Sequence, residues 1–153
     1  MKYTVEVDIK APLARVIELF DNVDNLQEWQ PELKSWVHDS GEPGQPGAVS
    51  KMVYGMGKKD YHMTETIKVK NLPTEFTAIY EGPGMWNEAH NEFIAIDESN
   101  SRWVAHHVFE SDKLFYKVMM IFTPGAFKKQ SLKFMNYFRE FVERQPAAET
   151  DTE

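Results

Sequence analysis

A chain of 153 residues carrying 17 basic and 24 acidic side chains, a formal net charge of -7 and no cysteine is long enough for one well-buried domain. At this size roughly 70% of the unfolded surface is buried, so no covalent staple is needed. The missing cysteines exclude disulfides, cysteine-held zinc or iron–sulfur centres and a thiol nucleophile, and the acidic charge argues against nucleic acid as a partner.

Tyr3, Val5, Val7 and Ile9 alternate with polar neighbours, which predicts a first, half-buried strand and leaves no continuous apolar stretch of signal-peptide length. Pro12 suits a helix start, and Leu13, Val16, Ile17 and Phe20 share one helical face. Asn22 is placed to cap a second short helix bearing Val23, Leu26 and Trp29, which Pro31 stops. Six strands then follow at about 33–39, 48–56, 60–70, 75–81, 86–97 and 102–110, separated by turn-rich segments. Joined this tightly, they predict an antiparallel meander. Leu114 to Phe122 is the longest mainly apolar run, interrupted by Lys117 and far short of the ~20 residues that span a bilayer. Thr123–Pro124 is an N-cap and first-turn signal for a long amphipathic helix ending near Arg144, with Phe127, Phe134, Met135, Phe138, Phe141 and Val142 on one face. Residues 1–144 are thus expected to form one domain, and 145–153 a short, acidic, disordered tail.

The order strand, two short helices, six strands and long helix describes an α+β fold. A seven-stranded sheet must cover one face, and the last helix is the long apolar element available for it. The 20 aromatic residues and 8 Met would lie largely between the two and suit a roomy, deformable interior.

Charge is unevenly spread. From Lys113 to Arg139 there are six basic residues (Lys113, Lys117, Lys128, Lys129, Lys133, Arg139) and no acidic one, which leaves about -13 on the rest. The plain reading is a solvated basic helix face; the sharper one is that this helix and the apolar segment before it approach an anionic lipid surface or an acidic ligand.

Ala11–Pro12, Trp29-Gln-Pro31, Glu65, Leu72–Pro73, Tyr80, Trp86–Asn87, Asn91, Phe93, Trp103, Pro124–Gly125 and Phe127-Lys-Lys-Gln130 together resemble the START-like SRPBCC superfamily, which includes polyketide cyclase/dehydrase-like proteins. They are most similar to a bacterial subgroup, over about Lys2 to Glu143. The resemblance implies a helix-grip fold: a seven-stranded curved antiparallel sheet around the C-terminal helix, enclosing a mainly apolar cavity. It also implies binding of lipids, sterols, quinones, polyketides or hormones, with cyclisation or dehydration in some members. Fold by itself does not choose among these. A bacterial cytoplasm is the expected setting.

Strand parity nominates the lining. Trp103, Ala105, His107 and Phe109 share one face, so His106 and His107 point to opposite sides and cannot share a metal ion. Asn87, Asn91 and Phe93 share a face opposed to Trp86 and Glu88, and a turn at Glu98 to Ser101 puts Asn91 directly or diagonally across from His107. Met63, Glu65, Ile67 and Val69 share another face, leaving one carboxylate among apolar residues. Such a carboxyl has a raised pKa and suits proton transfer, with His107 as its complement. The plainer reading makes Glu65, Asn87, Asn91 and His107 satisfied structural polar groups, and the aromatic residues core. Tyr54 and Tyr61 are ambiguous in parity.

The expected function is therefore binding of a small or medium hydrophobic ligand, with Glu65, Asn87, Asn91 and His107 as polar anchors. Tyr80, Trp86, Phe93, Trp103 and Phe138 form the apolar wall. One alternative is a cyclase or dehydratase using Glu65 or His107. Another is a lipid-transfer or membrane-surface module acting through 113–133. No cofactor, metal or nucleic acid is expected, and either a monomer or a homodimer fits.

Overall fold

The computed structural model describes residues 1–146. Most of the expected tail, from 147 onward, lies outside the described residues. Strand β1 (Lys2–Ile9) is followed by helix α1 (Leu13–Phe20), a 3-10 turn (Val23–Asn25) and the single-turn helix α2 (Leu26–Trp29). Six strands follow: β2 (Leu33–Ser40), β3 (Val49–Met56), β4 (Lys59–Asn71), β5 (Glu75–Gly82), β6 (Met85–Ala95) and β7 (Ser101–Glu110). Helices α3 (Leu114–Phe122) and α4 (Pro124–Arg144) close the described chain.

The sheet is one antiparallel, seven-stranded layer in the order β1-β7-β6-β5-β4-β3-β2. β2 to β7 form the expected meander, and β1 returns beside β7. Local chemistry explains several boundaries. Asn22 caps the 3-10 turn by accepting from Asp24 N at 3.1 Å. Pro83 and Gly84 turn β5 into β6, with Gly84 at φ 73, a conformation that favours glycine. β6 ends at Ala95 because Asp97 accepts from Ser99 N at 2.8 Å and folds the chain into its turn.

Three details differ from the sequence reading. The apolar run 114–122 is a helix of its own, whose nearly unbroken apolar sequence hides the helical period. Thr123 occupies the α4 N-cap position, but its hydroxyl donates back to Met119 O at 2.9 Å and caps nothing. A register shift between Ile67 and Val69 pairs Val69 with Thr77, so Val69 leaves the face that carries Glu65 and Ile67.

α4 grips the sheet through its C-terminal half. Met135, Phe138, Phe141 and Val142 are buried against β1 and its neighbours, with Phe138 at 0% exposure. The Phe138 ring meets Trp29 at 5.1 Å, Trp103 at 5.5 Å and Phe20 at 5.7 Å, while Phe20 reaches Phe93 at 4.7 Å. These edge and tilted contacts make a solid plug between helix and sheet. Phe138→Ala is expected to cost about 3–5 kcal/mol, seen as a lower urea midpoint at an unchanged slope of free energy on denaturant.

Candidate functional site

The pleat alternates side chains between the helix-facing and outer surfaces, and the register lays the helix-facing ones out in rows. One row of directly paired residues is Phe109, Asn87, Tyr80, Glu65 and Ser50. The adjacent row is Tyr3, His107, Ala89, Ala78 and Ile67. The two alanines keep the middle of the floor low. A third, toward the opposite end of the strands, holds Phe93 and Trp103, already filled by the plug.

These rows divide the residues anticipated from sequence. Phe93, Trp103 and Phe138 are solid core. Asn91 is buried with them: its Oδ1 accepts from Trp103 Nε1 at 2.9 Å and its Nδ2 donates to Phe76 O at 3.1 Å. Both functions of that amide are thereby occupied. Trp86 is on the outer surface, paired between Glu81 and Glu110, and lines an open depression of about 580 Å³ with Met85, Ser111 and Lys117. Glu65, Tyr80, Asn87 and His107 occupy neighbouring floor positions beneath the first half of α4. His107 pairs with Ala89 and Asn91 with Ala105, so the asparagine that reaches His107 is Asn87.

Glu65, Tyr80 and His107 are enclosed by protein yet retain accessible surface, and so is Tyr54, whose parity was ambiguous in sequence. These four stand on the helix-facing side of the sheet with part of their surface still accessible. Burial raises the Glu65 pKa, while Tyr80 and Trp36 beside it pull in the opposite direction. Trp36 Nε1 is buried with no partner at full hydrogen-bonding geometry. Among the described residues no cation forms an ion pair with Glu65. Burial, then the nearby Glu65 carboxyl, raises Tyr80; burial, Glu65 and Glu32 raise Tyr54. Both phenols therefore stay protonated as donors, and Tyr54 OH donates to the buried Gln30 Oε1 at 2.6 Å. Sequence parity along β3 could have placed Tyr54 here, since it alternates with the buried Met52 and Ser50.

His107 lies between Tyr3 and Phe109, with ring centroids 5.2 and 5.8 Å away. Asn87 Nδ2 is 3.3 Å from its Nδ1 and donates to Val108 O at 3.1 Å. A donor facing Nδ1 assigns the ring proton to Nε2. Burial first, then His106, lowers the His107 pKa to about 4. Tyr3 ties this wall to α4: its OH donates to Phe127 O at 3.1 Å and is 2.7 Å from Ser131 Oγ.

Three strand spacings separate Glu65 from His107, about 14 Å along the sheet. They are two anchors flanking one space, too far apart to exchange a proton directly. His106 faces the other side, where Thr4 Oγ1 lies 2.8 Å from its Nδ1. No group of three or more metal-ligating side chains is assembled among the described residues.

This architecture is the helix-grip fold of START-like, SRPBCC-type proteins. The chain superposes on the ZhuI aromatase/cyclase from Streptomyces sp. R1128 with a TM-score of 0.80, at 14% identity over 97% of this chain and 98% of the other. A START superfamily protein from Mycobacterium smegmatis gives a TM-score of 0.74 at 9% identity, covering 94% of this chain and 97% of that one. Norcoclaurine synthase from Thalictrum flavum, in complex with dopamine and hydroxybenzaldehyde, gives 0.70 at 12% identity, covering 97% and 89%. At such identities the likeness is one of fold. No protein-family model matches the sequence, and no curated protein sequence matches it.

The titration of His107 has a measurable consequence. Its pKa is about 4 when folded against 6.5 for a solvated imidazole, so between these pH values the unfolded chain takes up a proton that the folded chain refuses. The stabilisation is fully present above pH 6.5 and is lost as pH falls toward 4, by an amount of order 3 kcal/mol. His107→Phe should remove this contribution. Urea unfolding of both proteins across that window checks it: the stability difference, parent minus variant, should shrink with acid.

Proposed function

We propose that the protein binds a small or medium, mainly apolar ligand carrying oxygen functions, in the space between the sheet and the first half of α4. The observation that carries this reading is Glu65: an enclosed carboxyl without a cation, keeping accessible surface beside the buried hydroxyl of Tyr80. A purely structural carboxylate at that depth would need several donors to offset its desolvation. A ligand hydroxyl or carbonyl supplies a partner to the protonated or ionised form. His107 Nε2 offers a donor and Asn87 Oδ1 an acceptor on the same floor, while Tyr3, Phe109 and Phe127 offer apolar wall. Few polar groups on an apolar surface is the usual composition of a small-molecule site. The neighbours that act on or hold aromatic compounds, an aromatase/cyclase and a synthase bound to dopamine and hydroxybenzaldehyde, agree with this chemistry.

A second reading is proton transfer on such a ligand, and the raised pKa of Glu65 favours it. Glu65 is then the acid or base. His107, with a pKa near 4, is neutral at pH 7 and a weak base there, so it suits hydrogen bonding better than proton abstraction.

Two fluorescence titrations test the binding reading. Phenylnaphthylamine, which has no oxygen, and dihydroxynaphthalene should both bind the unmodified protein. Glu65→Gln and Tyr80→Phe should each weaken dihydroxynaphthalene by about tenfold, the cost of one buried hydrogen bond, and leave phenylnaphthylamine within about twofold. Failure of both probes to bind, or equal effects on both, would overturn the assignment. Turnover of a cyclisable polyketone lost in Glu65→Gln would establish the second reading.

A further inference from the structure

Helix α3 has an apolar surface that nothing in the described chain covers. Leu114 is 75% exposed, Phe115 69%, Ile121 71% and Phe122 78%, with Val118 also exposed. At about 100° per residue these five fall within about 120° of arc. Tyr116, Met119 and Met120 occupy the remaining arc and are half-buried, with Tyr116 close enough to raise the pKa of Tyr61 on the sheet. So α3 turns a Tyr/Met face inward and a Leu/Phe/Ile face outward. An ordinary surface helix is polar on its outer face.

From Lys113 to the end of the stripe and on into α4 the charges are basic, while Glu110 and Asp112 stand just before it. Lys117 borders it, Lys113 precedes it, and Lys128 and Lys129 follow at the exposed start of α4. None of the four forms an ion pair among the described residues, whereas Lys133, further along, is 3.2 Å from Glu32. Exposed Met56, the last residue of β3, lies at the same end of the sheet.

We propose that α3 inserts its outward face into the surface of an anionic bilayer. An apolar stripe of this width flanked by lysines fits the boundary between acyl chains and acidic headgroups, where burial and charge attraction add. A second copy of the chain is the poorer occupant, because two-fold docking through α3 would bring Lys113 and Lys117 toward their own equivalents. The proposal does not depend on the ligand reading. It places the lipid phase beside the end of the fold where Tyr61 and Tyr54 face the interior.

Flotation with phosphatidylglycerol–phosphatidylcholine vesicles, against phosphatidylcholine alone, tests it. The unmodified protein should float with the anionic vesicles, and less so as salt is raised. Joint Phe115→Asp and Phe122→Asp substitution should abolish flotation, and Lys117→Glu should weaken it by roughly tenfold or more. Because these side chains face outward, phenylnaphthylamine binding and the urea midpoint should be unchanged in the same variants. Equal flotation with phosphatidylcholine alone, or undiminished flotation of the double aspartate variant, would overturn the proposal. So would absence of flotation together with a dimer, seen by light scattering, that the aspartates dissociate.

Discussion

A long helix lies against a sheet only where side chains fill the gap between them, and α4 meets that condition along half its length. Phe138 is the centre of the filled half. Its ring sits among Phe20, Trp29 and Trp103 at centroid distances of 5.1 to 5.7 Å, and Met135, Phe141 and Val142 extend the same contact. The hydrogen bond from Trp103 to Asn91 satisfies one polar group of this plug, whereas the buried Trp29 Nε1 has no partner among the described residues. With the helix fixed there, its first half is cantilevered over the floor row of Asn87, Tyr80 and Glu65. Toward that half the aromatic contacts become pairwise, Phe109 with Phe127 at 5.3 Å and Tyr54 with Phe134 at 6.1 Å.

The chemistry of that space follows from low polarity acting on a few ionisable groups. Desolvation pushes Glu65, Tyr80 and Tyr54 toward their neutral, proton-bearing forms and does the same to His107 by lowering its pKa. At neutral pH the phenols and the imidazole are uncharged, and the Tyr54 hydroxyl is already donated to Gln30. The proposed preference for a neutral, oxygen-bearing guest rests on this enclosed carboxyl and the uncharged groups that share its floor.

Much of this was legible in the sequence because two-residue alternation survives wherever a strand is regular. Glu65 stood out as a carboxylate among Met63 and Ile67, and the register sets it on the helix-facing surface. Val69 was misassigned to that face because a bulge changes parity without leaving a local mark. Trp103, Phe93 and Phe138 could not be separated from true wall residues, since solid core and cavity lining have the same composition and differ only in whether another side chain arrives to fill the gap. Asn87 and Asn91 share strand, residue type and face, yet one keeps a free carbonyl and the other is consumed by Trp103. That distinction depends on an exact cross-strand offset. The α3 helix escaped because a segment apolar on all sides has no periodicity to read.

That same absence of periodicity connects the two ends of the molecule. At the plug, α4 is held by aromatic rings and can shift only by breaking many contacts at once. At its start it is held by Tyr3, through Ser131 and the carbonyl of Phe127, and by the Phe127–Phe109 contact at 5.3 Å. The residues of α4 before Ser131 are otherwise exposed. Separating this end from the floor therefore disturbs few buried groups, which is the condition under which local opening costs far less than unfolding. α3 is attached to this lightly held end, so whatever engages its outer face acts at the part of the fold that can move while the aromatic plug stays closed.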